Sequence, residues 1–116
     1  MYVSLGRDLV RRAVARTSER TYEGYFRCWE RFRLSVGLPV FLLAEAGVDS
    51  HVLSLLAYVA YSWRKQSLKA GTIAGHLAAV KVFHRHERGF DLFLRHQWIV
   101  DALKGVSRSH AEAGTV

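Results

Sequence analysis

The chain has 116 residues, half of them hydrophobic, which suits one compact domain with a real core and leaves little room for two. Seventeen Lys and Arg against ten Asp and Glu give a formal charge of +7, a balance that points to a polyanionic partner, either nucleic acid or an anionic membrane surface. The single cysteine, Cys28, excludes an internal disulfide framework and fits a small buried thiol in an intracellular compartment, cytoplasmic or nuclear. No apolar run approaches the ~20 residues that cross a bilayer, and the N-terminal MYVSLGRDLVRR lacks a hydrophobic signal core.

Apolar residues recur at three and four rather than at two, and Pro39 is the only proline, so the pattern predicts an all-α chain: a compact bundle of four to five helices. A first segment runs from Ser4 or Leu5 to about Ala15, with Leu5, Leu9, Val10 and Val14 inward. Thr17 or Ser18 caps a second, to about Ser35, whose stripe of Tyr22, Tyr25, Phe26, Trp29, Phe32 and Val36 reads as core. Its other side, Arg20, Glu23, Arg27, Glu30 and Arg31, mixes signs as a solvated face does; Gly37 then serves as C-cap and Pro39 blocks continuation.

Asp49 or Ser50 starts a third segment, with Val52, Leu55, Leu56, Val59 and Trp63 inside, ending near Gln66. SLKAGT, residues 67 to 72, reads as a turn that feeds a fourth helix, starting at Thr72 or just before it and stopping before Gly89. A fifth, from about Arg95 to Leu103, carries Trp98, Ile99, Ala102 and Leu103 as its apolar face and ends at Gly105. Residues 1–108 thus form the domain, and 109–116 a frayed tail or the start of a linker.

Between His51 and His86 there is no Asp or Glu, while Arg64, Lys65, Lys69, Lys81 and Arg85 all fall there. At about 100° per residue, Ala74, Ala78, Lys81, Arg85 and Arg88 form one row along the fourth helix. Small side chains let a helix approach closely and cations beside them reach phosphates, the two requirements of a DNA major groove. The turn before the helix adds free backbone N–H groups, the Ser67 and Thr72 hydroxyls and Lys69, a set able to hold a phosphate. The competing reading is that Ala74, Ala78 and Ala79 simply permit close helix packing.

Three stretches in order, Ser18-x-Arg20-Thr21-Tyr22-x-x-Tyr25-x-x-x-Trp29-x-x-Phe32, Ala70-Gly71-Thr72-Ile73-x-x-His76-Leu77-Ala78-Ala79-Val80-x-x-x-His84 and Leu103-Lys104-Gly105-x-x-Arg108, resemble the N-terminal core-binding domain of tyrosine recombinases, the phage integrase family. The resemblance spans residues ~15 to 108. It implies a SAM-like helical bundle that grips one side of a double-stranded DNA site, with a separate catalytic domain on the other side. The helices near Thr21 and Thr72 would face the major groove and its phosphates, and Lys104 and Arg108 would lie beside DNA where the chain leaves for the catalytic domain. Lys81 and Arg85 are then expected on phosphates or in the groove, His76 and Ala78 near the bases, and Lys69, Thr72, Lys104 and Arg108 as backbone anchors. Arg20, Thr21, Arg27 and Arg31 are weaker candidates because Glu23 and Glu30 share their helix.

The family's chemistry uses a tyrosine nucleophile with arginines, a lysine and a His-x-x-Arg pair. No His-x-x-Arg occurs here, and the five tyrosines, Tyr2, Tyr22, Tyr25, Tyr58 and Tyr61, all lie at or before position 61. The expectation is therefore a binding module without catalysis of its own, whose partners are duplex DNA and a catalytic domain or other recombinase subunits. No cofactor is expected: His84 and His86 point to different sides of a helix and lack further ligands for a metal. Two other classes stay open, a helical protein-interaction module with a basic face for an acidic partner, and a membrane-surface helix, which the narrow apolar face disfavours.

Overall fold

Phe26, Trp29 and Phe32 recur every three residues, so a helix carries all of them on one side and must bury that side against something. In the computed structural model, which describes residues 16–114 and the side chains of residues 20–111, they belong to α1, Arg16–Ser35. A 3-10 turn, Ala44–Ala46, leads to α2, Val48–Arg64; α3, Ala70–Arg88, and α4, Gln97–Gly114, complete an all-α bundle with no strand among the described residues. The expected segment from Ser4 to Ala15 lies outside the described residues.

Trp29 is fully buried at the centre, edge-on to Tyr58 of α2 and His84 of α3, and Phe26 stacks on Phe83 of α3 at 4.3 Å. Val52, Leu55 and Val59 of α2, Ile73, Leu77 and Val80 of α3, and Ile99 and Val106 of α4 close the same core. Gly75 brings α3 against α1: a Cβ there would stand 3.0 Å from the Tyr25 ring, so Ala79 and Gly75 do serve close packing, whereas Ala74 faces solvent.

Between α1 and the 3-10 turn the chain is irregular, and helix side chains hold much of its backbone. Trp29 Nε1 donates to the Val40 carbonyl at 2.7 Å, and Arg33 Nε to that of Pro39 at 2.7 Å. The Leu42 N–H donates to His84 Nε2 at 2.9 Å, and His51 Nε2 meets the Leu43 carbonyl. Since His84 Nε2 accepts, its proton sits on Nδ1, which donates to the Val80 carbonyl at 2.8 Å. Arg33 is buried, and its guanidinium also lies over the Trp29 ring.

Several boundaries differ from the sequence reading. Thr17 and Ser18 are already helical and α2 begins at Val48 after Gly47 with no side-chain cap, whereas α3 begins at Ala70, just before Thr72 as expected, with Lys69 as N-cap. Val36, 53% exposed, lies past the end of α1, where the chain turns away from the core. Trp98 is 50% exposed in the first turn of α4, beside His96, while Ile99 takes the buried position. Gly105 does not end α4: Val106 is buried one residue later and the helix continues to Gly114, so residues 109–114 are helix rather than tail. Tertiary burial there overrides the weak helix propensity of one glycine.

Burial lowers the His84 pKa from its ordinary 6.5, and it lowers that of His76 in the same direction. Unfolding lets both take up protons near their ordinary value, so their contribution to stability is complete above about pH 6.5 and is lost as the pH falls below it. Urea midpoints should therefore drop between about pH 7 and about pH 5. His84→Leu should be less stable at neutral pH by about 1–3 kcal/mol, because the Leu42 N–H is left unpaired, and its midpoint should depend less on pH. Gly89, the left-handed C-cap of α3 at φ 76°, should cost about 1 kcal/mol of unfolding free energy when replaced by Ala, measured by the same titration.

Candidate nucleic-acid interface

The buried side of α3 fixes what its other side can present. With Ile73, Leu77, Val80 and His84 inward, Ala74, Arg85 and Arg88 are exposed and Ala78 and Lys81 half-buried, one continuous row along the helix. Lys69, at the N-cap, is exposed and extended, and no side chain caps the α3 N-terminus. Its first N–H groups are thus available to an anion, with the Thr72 side chain in the same turn. Ser67, in the bend before it, adopts φ 54°, and the Leu68 N–H returns to the Ser62 carbonyl at 3.1 Å, which tightens the α2 to α3 connection.

Arg85 and Arg88 also sit in the last turn of α3, where cations favour the helix dipole. Arg85 Nε stands 3.7 Å from Asp91 Oδ1, both side chains being largely exposed, a pair that solvent screens and a phosphate can displace. Arg88 lies over the Phe41 ring at 4.5 Å. Lys104 and Arg108, one turn apart, are exposed on α4.

Thr21, Thr72 and His76 come together at a different place. They line a cleft of about 480 Å³ between α1, the end of α2 and the start of α3, with Gly24, Tyr25, Cys28, Arg31, Tyr58, Tyr61, Gln66 and Leu68. Comparison with models of protein families, with curated proteins and with solved structures finds no match for this chain.

His76 corrects an expectation. Only 4% exposed, it is packed under Tyr25, whose ring stacks on it at 4.1 Å, and its Nδ1 pairs with the Tyr58 hydroxyl at 2.7 Å. A base in a groove lying on the outer row of α3 does not reach it, because positions 72 and 76 fall on the side of the helix away from 74, 78, 81 and 85. Burial holds the imidazole neutral and pushes the Tyr58 phenol far above its ordinary range. The contact satisfies His76 Nδ1 and the Tyr58 hydroxyl in either tautomer and leaves Nε2 as the ring's other polar atom.

Arg20, Arg27 and Arg31 are exposed on α1, and Arg31 alone of them lines the cleft. The sequence reading placed Tyr25 in the core stripe and passed over the cleft. Its signal was Gly24 and Cys28, two small residues one turn apart at the border of that stripe, which leave a notch where larger side chains would have closed the surface. Among the described residues no group of three or more His, Cys, Asp or Glu converges on a point that could hold a metal, and no helix is long and apolar enough to cross a membrane.

Tyr58→Phe removes the hydroxyl and leaves His76 Nδ1 buried without its partner. It should lower the unfolding free energy by about 1–3 kcal/mol in urea. The Tyr58→Phe, His76→Phe double variant should lose less than the sum of its two single changes.

Proposed function

We propose that this chain binds double-stranded DNA as a core-binding domain of the tyrosine recombinase or integrase type, SAM-like in fold, and that it does not itself cut or join DNA. The observation that carries the reading is the solvent-facing row of Ala74, Ala78, Lys81, Arg85 and Arg88 on α3, in a chain with no acid between His51 and His86. Two small side chains followed by three cations match a groove flanked by phosphates. The uncapped start of α3 beside Lys69 adds a phosphate position, and Lys104 and Arg108 on α4 add further cations. The sequence resemblance set out above supplies the recombinase assignment. The lack of any His-x-x-Arg, with all tyrosines at or before Tyr61, supports a module whose chemistry belongs to another domain.

A second reading, a helical protein-interaction module for an acidic partner, is favoured by one observation. Leu56, Ala60, Trp63, Ala102 and Val106 form an open apolar groove between α2 and α4, which a duplex has no use for.

Each phosphate contact contributes about 0.9 to the slope of log K against log salt. Lys81→Glu with Arg85→Glu should weaken binding to a mixed-sequence duplex and flatten that slope by about two, read by fluorescence anisotropy across a salt series. Unchanged binding in the double variant removes the α3 row from the interface. No binding of the parent protein to duplex at low salt, with retention of an acidic polypeptide, selects the second reading.

A further inference from the structure

The duplex-facing row does not use the cleft on the other side of α3, and the cleft has its own chemistry. Its walls are rings: Tyr25 stacked on His76, with Tyr58 and Tyr61 beside them. Its volume, about 480 Å³, suits an organic ligand rather than a bare ion. The open space continues up to Gly24, where an added Cβ would meet nothing within 4 Å.

Three features fix the class of ligand. Aromatic walls select a planar ring, because stacked π-faces favour one another at little conformational cost. His76, more than nine-tenths buried and with Nδ1 taken by Tyr58, has Nε2 as its remaining polar atom, a partner for a polar group on the ring's edge. Among the described residues the rim is cationic: Arg31 lines the cleft, no Asp or Glu of those residues does, and Glu23 and Glu30 lie on the other side of α1. Thr72 lines it from the first turn of α3, whose N–H groups no side chain caps. A nucleotide combines these features, a planar ring with polar edge groups joined to an anion.

We infer that this cleft binds a single unpaired nucleotide, its base against the part-exposed rings of Tyr25 and Tyr61, with His76 and Tyr58 buried behind them, and its phosphate toward Arg31 and the start of α3. The site is separate from the duplex row and stands without it. A free nucleoside 5′-monophosphate and an unpaired residue of a strand share this chemistry, and the experiment treats them as two arms.

Cys28 is the chain's only cysteine and lines the cleft, so its reaction with a thiol reagent reports occupancy directly. Labelling of the full chain should slow several-fold in the presence of a nucleoside 5′-monophosphate or a short single-stranded oligonucleotide. Inorganic phosphate and deoxyribose 5-phosphate, which lack the base, should not slow it. Stronger protection by the oligonucleotide assigns the site to strands, and protection by the mononucleotide alone assigns it to free nucleotide.

Gly24→Leu fills the open side of the cleft on a helix that gains from losing a glycine, so its thermal midpoint should hold or rise. Its affinity for whichever of the two ligands protects Cys28 should fall by roughly tenfold or more, the worth of one base stack, with duplex binding unchanged. Lys81→Glu with Arg85→Glu should do the reverse. Cys28 labelling that neither ligand slows, protection by phosphate alone equal to that by nucleotide, or affinity for the protecting ligand that survives Gly24→Leu would each overturn the inference, and none of these bears on whether duplex binds the α3 row.

Discussion

The irregular segment from Pro39 to Leu43 is held by side chains rather than by its own backbone, and the relative placement of three helices depends on that. Trp29 and Arg33 reach it from α1, His51 from α2 and His84 from α3. The bond from His84 satisfies the buried Leu42 N–H, which would otherwise be stranded in the core, and the other three tie the segment to α1 and α2. Together they lock the register of α1 against α3, because Trp29 and His84 also touch edge-on. Once that register is set, the Tyr25 ring must rest over His76 and against Gly75, and the opposite side of α3 must face outward. The outer cationic row and the inner aromatic cleft are two results of one packing solution.

Having both on α3 separates two kinds of contact by about the width of a helix. The outer row offers point charges at an exposed surface, where attraction is screened and depends on salt. The cleft is lined instead by aromatic rings and a buried imidazole, where contact depends on shape rather than on screened charge. His76 is neutral because it is buried, and it is buried because Gly75 lets Tyr25 close over it.

Much of the architecture was legible from periodicity. The buried set Phe26, Trp29, Phe32, Val52, Leu55, Val59, Ile73, Leu77 and Val80 follows from the three-and-four spacing, and the outer row of α3 follows from the same count. Helix ends were less legible, since Gly47 and Lys69 start α2 and α3 without a capping side chain and the Asp, Ser and Thr nearby sit inside instead. Trp98 and Val36 went wrong for a common reason: at an element's end the chain direction changes, and periodicity carries no knowledge of where the core then lies. His76 was misplaced because its helical position borders the inward arc, and only the position of Tyr25 decides on which side of that border it falls. The cleft was hidden because it is a property of three elements at once, and of two small residues rather than of any reactive one.

The continuation of α4 past Gly105 matters beyond the bundle's outline. His110 Nε2 meets the Leu68 carbonyl at 3.1 Å, so the last turns of α4 fasten the bend that delivers the chain into α3. A recombinant version trimmed at Arg108, where the sequence alone invites the cut, would discard that fastening and loosen the entrance of the very helix that carries the cations. Any boundary chosen for expression or fusion should keep the polypeptide through Gly114, and a tag joined there should follow a spacer rather than abut His110.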